Sequence, residues 1–307
     1  MSLHWRAYGG EGDLGPMAAL VRLQPEENVH LADLPYRLSS WALDDPANAA
    51  LWETPAGELM AWAVLQAPFW ALDYAYHPAA PADTHARILD WADERARAMR
   101  GTRLGRLAWF VNIFDGQRLR QQELAAHGWA SQADVGEDSW TKVLFQLKRP
   151  ITSPVPPPQG YHLRSLRGAG EVEGYVALHR AVFGTENMTV GWRQAMLRHP
   201  DYRPELDLVA VDKDGALAGF CVCWFTSEGG GGRPSGQIEP LGVREDARRC
   251  GLARALVEEG LSRLAQLGSE AVVVETDDCR DDAYSFYEAV GFRVARKILV
   301  YRKDYTS

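Results

Sequence analysis

The stretch RRCGLARALVEEGL, residues 248–261, places positive charge just before small residues at the start of an amphipathic run. Arg248 and Arg249 precede Gly251 and Ala253, and apolar residues then recur at helical spacing. The first turn of a helix leaves backbone N–H groups without partners, and the helix dipole adds partial positive charge there. Small side chains let an anion approach these groups, and arginines donate hydrogen bonds to phosphate oxygens. The stretch therefore predicts a turn that holds a pyrophosphate.

Two better-known phosphate-binding loops do not match this stretch. A P-loop requires GxxxxGK[ST], and neither Lys nor Ser/Thr stands at the required place after Gly251. The dinucleotide-binding pattern GxGxxG in a first βα turn is also absent. On these residues alone, a helix that merely begins with small residues after a basic loop stays an alternative.

A proline-rich stretch divides the chain near its midpoint. KRPITSPVPPPQG, residues 148–160, holds five prolines, which remove backbone donors and favour extended structure. Neither a helix nor a central strand continues through such a segment. We therefore predict two domains, residues 1–147 and 160–307, joined by a linker over residues 148–159.

The second half alternates strand and helix patterns. Its last five elements are predicted as the strand QIEPLGV, the helix GLARALVEEGLSRLAQLG, the strand AVVVET, the helix DDAYSFYEAVGF and the closing strand RKILVYR. Gly268 is a normal stop for the long helix. Mixed elements in this order predict an α/β (α+β) fold, in which helices pack on the faces of a sheet.

The first half repeats the later part of that order. LAAHGW (124–129) aligns with YEAVGF (287–292) without a gap, and YHPAAPADTHARIL (76–89) aligns with VREDARRCGLARAL (243–256). The identity is low, but the order and the spacing agree. We interpret the two halves as two copies of one fold.

The first copy lacks the residues that make the glycine turn distinctive. In the alignment Pro81, Thr84 and Leu124 stand where the second copy has Arg248, Gly251 and Tyr287. Without the arginine and the glycine, the first copy is not expected to bind pyrophosphate in the same way. We expect it to be structural, or to shape a substrate cleft between the domains.

The composition disfavours several classes of function. The formal net charge of −8 disfavours nonspecific binding to nucleic acid or to an anionic membrane. No secretion signal opens the sequence, and no apolar segment approaches the roughly 20 residues that span a bilayer. Cys221 and Cys223 lie two apart in an apolar run, which predicts small core residues on one strand face. We therefore expect a cytoplasmic protein without a metal site, a nucleic-acid partner or a membrane partner.

Three stretches in the correct order and spacing resemble one family. RRCGLA resembles the R/Q-x-x-G-x-G/A motif of the GCN5-related N-acetyltransferase (GNAT) superfamily, and IEPLGV and AYSFYEAVGF resemble its flanking motifs. The resemblance covers residues 160–307 strongly and residues 1–147 only as a degenerate copy. It implies two tandem GNAT-like domains, each a mixed, mostly antiparallel, splayed sheet flanked by helices. The layout is similar to that of mycothiol synthase and related tandem proteins.

The resemblance implies acetyl-CoA as the co-substrate and an amine as the acceptor. Backbone groups of residues 241–243 would bind the pantetheine arm like an added strand. The amides of residues 249–253 and the Arg248 side chain would hold the pyrophosphate. The implied donor-binding residues are Leu241, Gly242, Val243, Arg248, Arg249, Cys250, Gly251, Leu252, Ala253, Arg254 and Arg280.

Two residues are candidates for catalysis. Tyr287 occupies the position where the family commonly places the acid that protonates the departing thiolate, although an aromatic on a short helix is often a core residue. Glu239 lies in an apolar strand, where desolvation would raise its pKa toward the range of a useful base. Alternation puts Glu239 on one face with Leu241 and Val243, provided that no bulge intervenes. A strand-edge carboxylate that pairs with an arginine or positions the substrate is the alternative for Glu239.

The sequence departs from the family pattern before the tyrosine. The family often has an asparagine seven residues before it, where this chain has Arg280, which would reach a phosphate of CoA or lie in solvent. Four acidic residues surround this position and would recruit a cationic amine or, as we favour, form a solvated loop with a helix N-cap: Asp277, Asp278, Asp281 and Asp282.

We predict an N-acetyltransferase that moves the acetyl group of acetyl-CoA to a primary amine in a ternary complex. A small-molecule acceptor is expected, and its identity is open. A non-catalytic acetyl-CoA sensor and a transferase of a longer acyl group are the alternatives. The chain is expected to be a monomer or a homodimer.

Overall fold

The computed structural model describes residues 2–150 and 152–305. Residues 1, 306 and 307, at the ends of the two predicted domains, and Ile151 in the predicted linker lie outside the described residues. The first half comprises β1 (His4–Ala7), α1 (Leu14–Arg22), α2 (Leu34–Leu38), β2 (Ala49–Glu53), β3 (Leu59–Gln66), β4 (Ala71–Tyr76), α3 (Thr84–Ala98), β5 (Ala108–Phe114), α4 (Arg118–Ala126), β6 (Ala130–Ser131) and β7 (Thr141–Lys148).

The second half begins after the prolines and follows the predicted order. It comprises β8 (Tyr161–Ser165), α5 (Val172–Phe183), α6 (Val190–Arg198), β9 (Asp207–Asp212), β10 (Leu217–Thr226), β11 (Ser235–Val243), α7 (Leu252–Gln266), β12 (Ala271–Asp277), α8 (Asp281–Val290) and β13 (Arg293–Asp304). The helix α7 stops two residues before Gly268, whose φ of +85° lies in the left-handed region that favours glycine.

The thirteen strands form one continuous sheet. Its order is β1-β2-β3-β4-β5-β13-β7-β12-β11-β10-β9-β8, and β6 pairs with β13 beside this path. Neighbouring strands are antiparallel except for two pairs, β4 with β5 and β11 with β12. Each half contributes one of these short parallel pairs at the corresponding place, which confirms the duplication of a mixed, mostly antiparallel fold.

The two halves exchange their closing strands. The last strand of the chain, β13, lies between β5 and β7 and pairs with β5 over residues 298–304. The last strand of the first half, β7, pairs with β12 of the second half over seven consecutive residue pairs. Each half therefore completes the sheet of the other. The domain boundaries that the sequence predicts, at 147/148 and 159/160, stay a prediction.

The helices cover both faces of this sheet and bury separate cores. In the second half, α7 and α8 cover the face that contains Leu256, Val272 and Phe292, all fully buried. Cys221 and Cys223 belong to the same core, as expected for small residues on one face of β10. The helices α5 and α6 cover the opposite face, where residues of the first half join the core. Among the described residues, no helix is both long and apolar enough to cross a bilayer.

Replacement of Phe145 by Ala tests whether the exchanged strands make one cooperative unit. Phe145 lies on β7 in the first half, is fully buried, and packs against Tyr284 and Tyr287 of α8 at ring distances of 4.8 and 5.9 Å. We expect the variant to lower the free energy of unfolding by about 3–5 kcal/mol, because a large buried side chain leaves a cavity. Calorimetry should show one transition for the whole chain.

The matched control is Leu119→Ala. Leu119 is 78% exposed, so its truncation should change the free energy of unfolding by no more than about 0.5 kcal/mol. Two separate transitions, of which Phe145→Ala shifts only one, would contradict a shared core.

Candidate active site

A slot opens in the sheet between β11 and β12. These parallel strands pair only where Ser235–Gln237 face Ala271–Val273, although both strands continue beyond that point. The strand β12 keeps its pairing with β7 along its whole length, so it diverges from β11. The backbone of β11 beyond Gln237 has no partner strand on this side. The splayed sheet that the family resemblance implies is thus present in the second half.

A bulge in β11 lies beside the slot. The pairing of β11 with β10 shifts by one residue between Ile238 and Leu241, which leaves Glu239 and Pro240 in the bulge. The peptide bond between these two residues is cis. The bulge breaks the simple alternation that would put Glu239 on one face with Leu241 and Val243, because it adds a residue between them.

A cleft of about 840 Å³ lies where the slot meets α7 and α8. The two candidate catalytic residues, Glu239 and Tyr287, line it together. Ten of the eleven predicted donor-binding residues also line it, namely Leu241, Gly242, Val243, Arg248, Arg249, Gly251, Leu252, Ala253, Arg254 and Arg280. Glu239 and Tyr287, which are 48 positions apart in the sequence, thus reach one cavity.

The turn before α7 presents free backbone to this cleft. Gly251 is the N-cap of the helix with a φ of +92°, a conformation that L residues rarely adopt. A Cβ atom at Gly251 would meet no atom within 4 Å, so the space beside the turn is open. The first N–H groups of α7 have no acceptor inside the helix. The turn therefore has the shape and the polarity that an anion requires.

The side chains around this turn form local hydrogen bonds. Arg248 Nε donates a hydrogen bond to the carbonyl oxygen of Val243 at 3.1 Å, which holds the guanidinium against the end of β11. Arg254 Nε donates to Glu258 Oε1 at 2.7 Å. Cys250 is exposed, and its Sγ donates to the carbonyl oxygen of Ala247 at 3.2 Å. Cys250 is the one predicted donor-binding residue that is not among the residues lining the cleft.

Glu239 lies in an environment that favours its neutral form. Burial, followed by the nearby charges of Asp33 and Glu275, raises the pKa of its carboxyl to about 8, while Lys142 and Arg37 oppose the shift. Its own carbonyl oxygen accepts a hydrogen bond from Trp224 Nε1 at 2.7 Å. The sequence predicted desolvation as the cause of the raised pKa. It did not predict the four nearby charges, three of which belong to the first half of the chain.

Tyr287 is part of the core and also lines the cleft. It is 7% exposed, and its ring packs edge-on against Phe286 and Phe292 at 5.2 and 5.7 Å. Burial and then the charge of Glu239 raise the pKa of its hydroxyl far above the usual value. A tyrosine with so high a pKa is protonated at neutral pH, as a proton donor must be.

An ion pair beside the slot was not predicted. Lys142 Nζ of β7 contacts Glu275 Oε1 of β12 at 2.7 Å, and both side chains are largely buried. Burial alone would raise the pKa of Glu275, but the charges of Lys142, His30 and Arg37 together lower it to about 2. The signal in the sequence was the single glutamate in the apolar strand AVVVET. Its partner lies more than 130 residues earlier, so the pair required the tertiary structure.

The four acidic residues near Arg280 do not cap α8, which corrects the expectation of an N-cap. Arg280 itself is the N-cap residue of α8, and no side-chain cap bond forms there. Asp281 and Asp282 lie in the first turn, where the helix dipole favours negative charge. The other two bind the start of β7: Asp277 accepts from Trp140 Nε1 at 2.8 Å, and Asp278 accepts from the hydroxyl of Thr141.

A second cavity of about 1060 Å³ lies between the two halves of the chain. Gln237 and Val273, the last paired residues before the slot, line it together with Leu144 and Gln146 of β7. Alternation along these strands puts it on the sheet face opposite α7, since Val272 and Val274 face the core under that helix. Basic residues stand around its rim: Lys148, Arg149, Arg233 and Arg296.

In the first half, side chains fill the region that corresponds to the cleft. Thr84 and Leu124, the counterparts of Gly251 and Tyr287, are buried. Tyr74 and His85 stack at 5.0 Å between β4 and α3, and Arg120 of α4 lies over the ring of Tyr76 at 4.8 Å. Our expectation that this copy does not hold pyrophosphate agrees with this packing and stays a prediction.

Residues 173–292 match the model of the family described as acetyltransferase (GNAT) family. The match covers β9–β12 and α5–α8, and it includes the slot, the glycine turn and both candidate catalytic residues.

Similar proteins include mycothiol acetyltransferases. That of Salinispora tropica is 33% identical over 159 residues, which are 49% of this chain and 52% of the relative. That of Thermobispora bispora is 28% identical over 170 residues, which are 53% of this chain and 57% of the relative. The chain thus spans about half the length of the curated relatives it matches.

Two solved structures resemble the whole chain. A tandem GNAT protein from the clavulanic acid biosynthesis pathway has a TM-score of 0.66 at 15% identity and covers 99% of this chain and 98% of its own. A GCN5-related N-acetyltransferase from Sphaerobacter thermophilus has a TM-score of 0.62 at 22% identity and covers 98% and 95%. These likenesses concern the fold. The second half of the chain therefore contains a region, residues 173–292, that matches the GNAT family, and the first half repeats the same fold.

Proposed function

We propose that the protein is an N-acetyltransferase that moves the acetyl group of acetyl-CoA to the primary amine of a small molecule. The observation that carries this proposal is the slot between β11 and β12, where Glu239 and Tyr287 line one cleft with the glycine turn. A donor held along this cleft has its phosphates at the turn and its thioester at the slot.

The residues of the cleft fit the two polar parts of acetyl-CoA. The N–H groups at the start of α7 and the guanidinium of Arg248 would hold the pyrophosphate, since both are directed donors for an anion. The unpaired edge of β11, from Leu241 to Val243, would hydrogen-bond the amides of the pantetheine arm. Arg280 stands across the cleft and would reach a further phosphate.

The transfer step needs one base and one acid. Glu239 takes a proton from the acceptor amine as the nitrogen forms a bond to the acetyl carbon. The carbon–sulfur bond of the thioester breaks, and the Tyr287 hydroxyl donates a proton to the departing thiolate. The products are the acetamide and CoA with a free thiol, and the proton held by Glu239 returns to Tyr287 through solvent.

The first half would shape the acceptor site. The cavity between the halves reaches Gln237 and Val273, the last paired residues before the slot, so an acceptor held there would approach the slot from the side of the first half. The cavity is lined by polar groups of Asn28, Gln146 and Gln237 as well as by apolar side chains. We infer a polar acceptor of moderate size. The expected state as a monomer or a homodimer stays a prediction.

Titration calorimetry with acetyl-CoA tests the donor site. We expect one binding site per chain, affinity reduced by roughly 10–100-fold in Arg248→Ala through loss of a charge-assisted hydrogen bond, and no measurable binding in Gly251→Trp. The matched control is Gly268→Trp at the other end of α7, because Gly268 also has positive φ and open space around it. Two sites per chain, or normal binding by Gly251→Trp, would contradict the proposal.

The pH dependence of kcat/KM tests Glu239 as the base. The pKa of about 8 leaves this carboxyl mostly protonated at pH 7, so kcat/KM should rise about tenfold per pH unit up to about pH 8 and then level off. Glu239→Gln should lower kcat by roughly 100-fold or more and remove this ionisation from the profile.

Tyr287→Phe should lower kcat while the Kd of acetyl-CoA stays unchanged.

Thiol release with a panel of primary amines is the measurement for both variants. Acetyl-CoA binding without release of thiol from the wild-type protein by any amine would favour the sensor alternative. Faster turnover with a longer acyl-CoA than with acetyl-CoA would favour a transferase of a longer acyl group.

A further inference from the structure

Two glutamates stand at corresponding positions on the two edges of the slot. Gln237 and Val273 are the last residues that β11 and β12 pair, and Glu239 and Glu275 each follow two residues later. Both glutamates line the donor cleft. Glu275 is two residues from Val273 on β12, so it points to the same face as Val273, which lines the cavity between the halves. Glu239 lies in the bulge of β11, and its carboxyl is close enough to Glu275 for the charge of Glu275 to raise its pKa. The two carboxyl groups therefore lie near each other beside the slot.

The carboxylate of Glu275 has one occupied oxygen and one free oxygen. Oε1 accepts a hydrogen bond from Lys142 Nζ at 2.7 Å. Oε2 is buried and has no hydrogen-bond partner among the described residues. The side chain keeps only 11% of its surface exposed. A buried ionised oxygen without a donor is unfavourable, and protein interiors normally supply one. The residue lines the cleft, so a ligand that enters the slot and displaces the side chains packed over this oxygen can supply the missing donor.

The number of hydrogens on the acceptor decides which ligand satisfies both glutamates. A hydroxyl or a thiol has one hydrogen, which it loses to the base during acyl transfer. A neutral primary amine has two, so one N–H can bind a carboxylate while the other proton leaves. The secondary amide that forms keeps one N–H and can stay bound to the same oxygen.

We propose that Glu275 is the amine-binding, specificity-determining residue of this site. Its free Oε2 accepts a hydrogen bond from the acceptor nitrogen, while Glu239 removes the other proton. This inference rests on the proposed function. Lys142 keeps Oε1 occupied and the carboxylate ionised, so it acts as a positioning residue. Because Lys142 lies on β7, the exchanged strand of the first half completes the acceptor site of the second half.

The variant Glu275→Gln and a matched control test this role. The control is Asp93→Asn, because Asp93 of α3 pairs with Lys303 of β13 at 2.5 Å, away from the slot, and its side chain is 14% exposed. The probes are 2-phenylethylamine and glucosamine, each beside its hydroxyl counterpart, 2-phenylethanol or glucose. Each probe is titrated by calorimetry into the protein in the presence of CoA, and the amines are then assayed for thiol release from acetyl-CoA.

In the wild-type protein, at least one amine should bind at least tenfold more tightly than its hydroxyl counterpart. Glu275→Gln should weaken binding of that amine and raise its KM at least tenfold. The Kd of acetyl-CoA should change by no more than about threefold, since donor binding does not require the free oxygen. The value of kcat is compared on the plateau of its pH profile, where it should also change by no more than about threefold, because loss of the Glu275 charge lowers the pKa of Glu239. Asp93→Asn should leave all of these values unchanged. Normal amine binding in Glu275→Gln, or a wild-type protein that does not prefer the amine, overturns the proposal.

A double variant separates the role of Glu275 from its contribution to folding. Glu275→Gln leaves Lys142 buried without its anion, whereas Lys142→Met with Glu275→Gln removes both charges and should restore the unfolding midpoint. The double variant should bind the amine as weakly as the single variant. Amine binding at the wild-type level by a folded double variant overturns the proposal.

The same data distinguish this inference from the proposed function. Amine binding that depends on Glu275, without thiol release from acetyl-CoA, supports the amine site and rejects the transferase. Thiol release that is equal in Glu275→Gln and in the wild-type protein supports the transferase and rejects the role of Glu275.

Discussion

The pairing of β7 with β12 is the interaction on which the site depends. Seven consecutive residue pairs hold β12 against β7, whereas β11 holds it over only three. The longer ladder fixes the direction of β12, which therefore diverges from β11 and leaves the slot between the two strands. Because β7 belongs to the first half of the chain, the geometry of the second half's slot depends on the first half. The exchange of closing strands is thus part of the architecture of the candidate site.

The slot has a different electrostatic character at each of its ends. At the glycine turn, unpaired N–H groups and Arg248 make a region suited to phosphates. At the opposite end, the buried carboxyl of Glu239 has a raised pKa and that of Glu275 a lowered one. Two carboxyl groups with such different affinities for protons suit two different tasks, proton transfer and binding of a charged or polar donor. The difference arises because Lys142, which hydrogen-bonds Glu275, lowers the pKa of Glu275 together with His30 and Arg37, whereas burial dominates at Glu239.

The first half has the fold of the second half but not the residues of its glycine turn or its tyrosine. Leu124 and Thr84 fill the places of the tyrosine and the glycine, and aromatic rings stack where a donor would lie. This packing stabilises the first half. The contribution of the first half to the candidate site lies at its interface with the second half. There it supplies Lys142, the charges around Glu239 and one wall of the larger cavity.

The sequence by itself determined the parts of the protein that depend on local backbone chemistry. The strands, the helices, the duplication and the glycine turn follow from periodicity and from the conformational freedom of Gly251, which act within a few residues. Only the tertiary structure decided which strand closes each half, because β7 and β13 have similar patterns and either would fit either sheet. It also decided the bulge at Glu239 and the contact between Lys142 and Glu275. Such contacts join residues that are far apart in the chain, so no local sequence pattern indicates them.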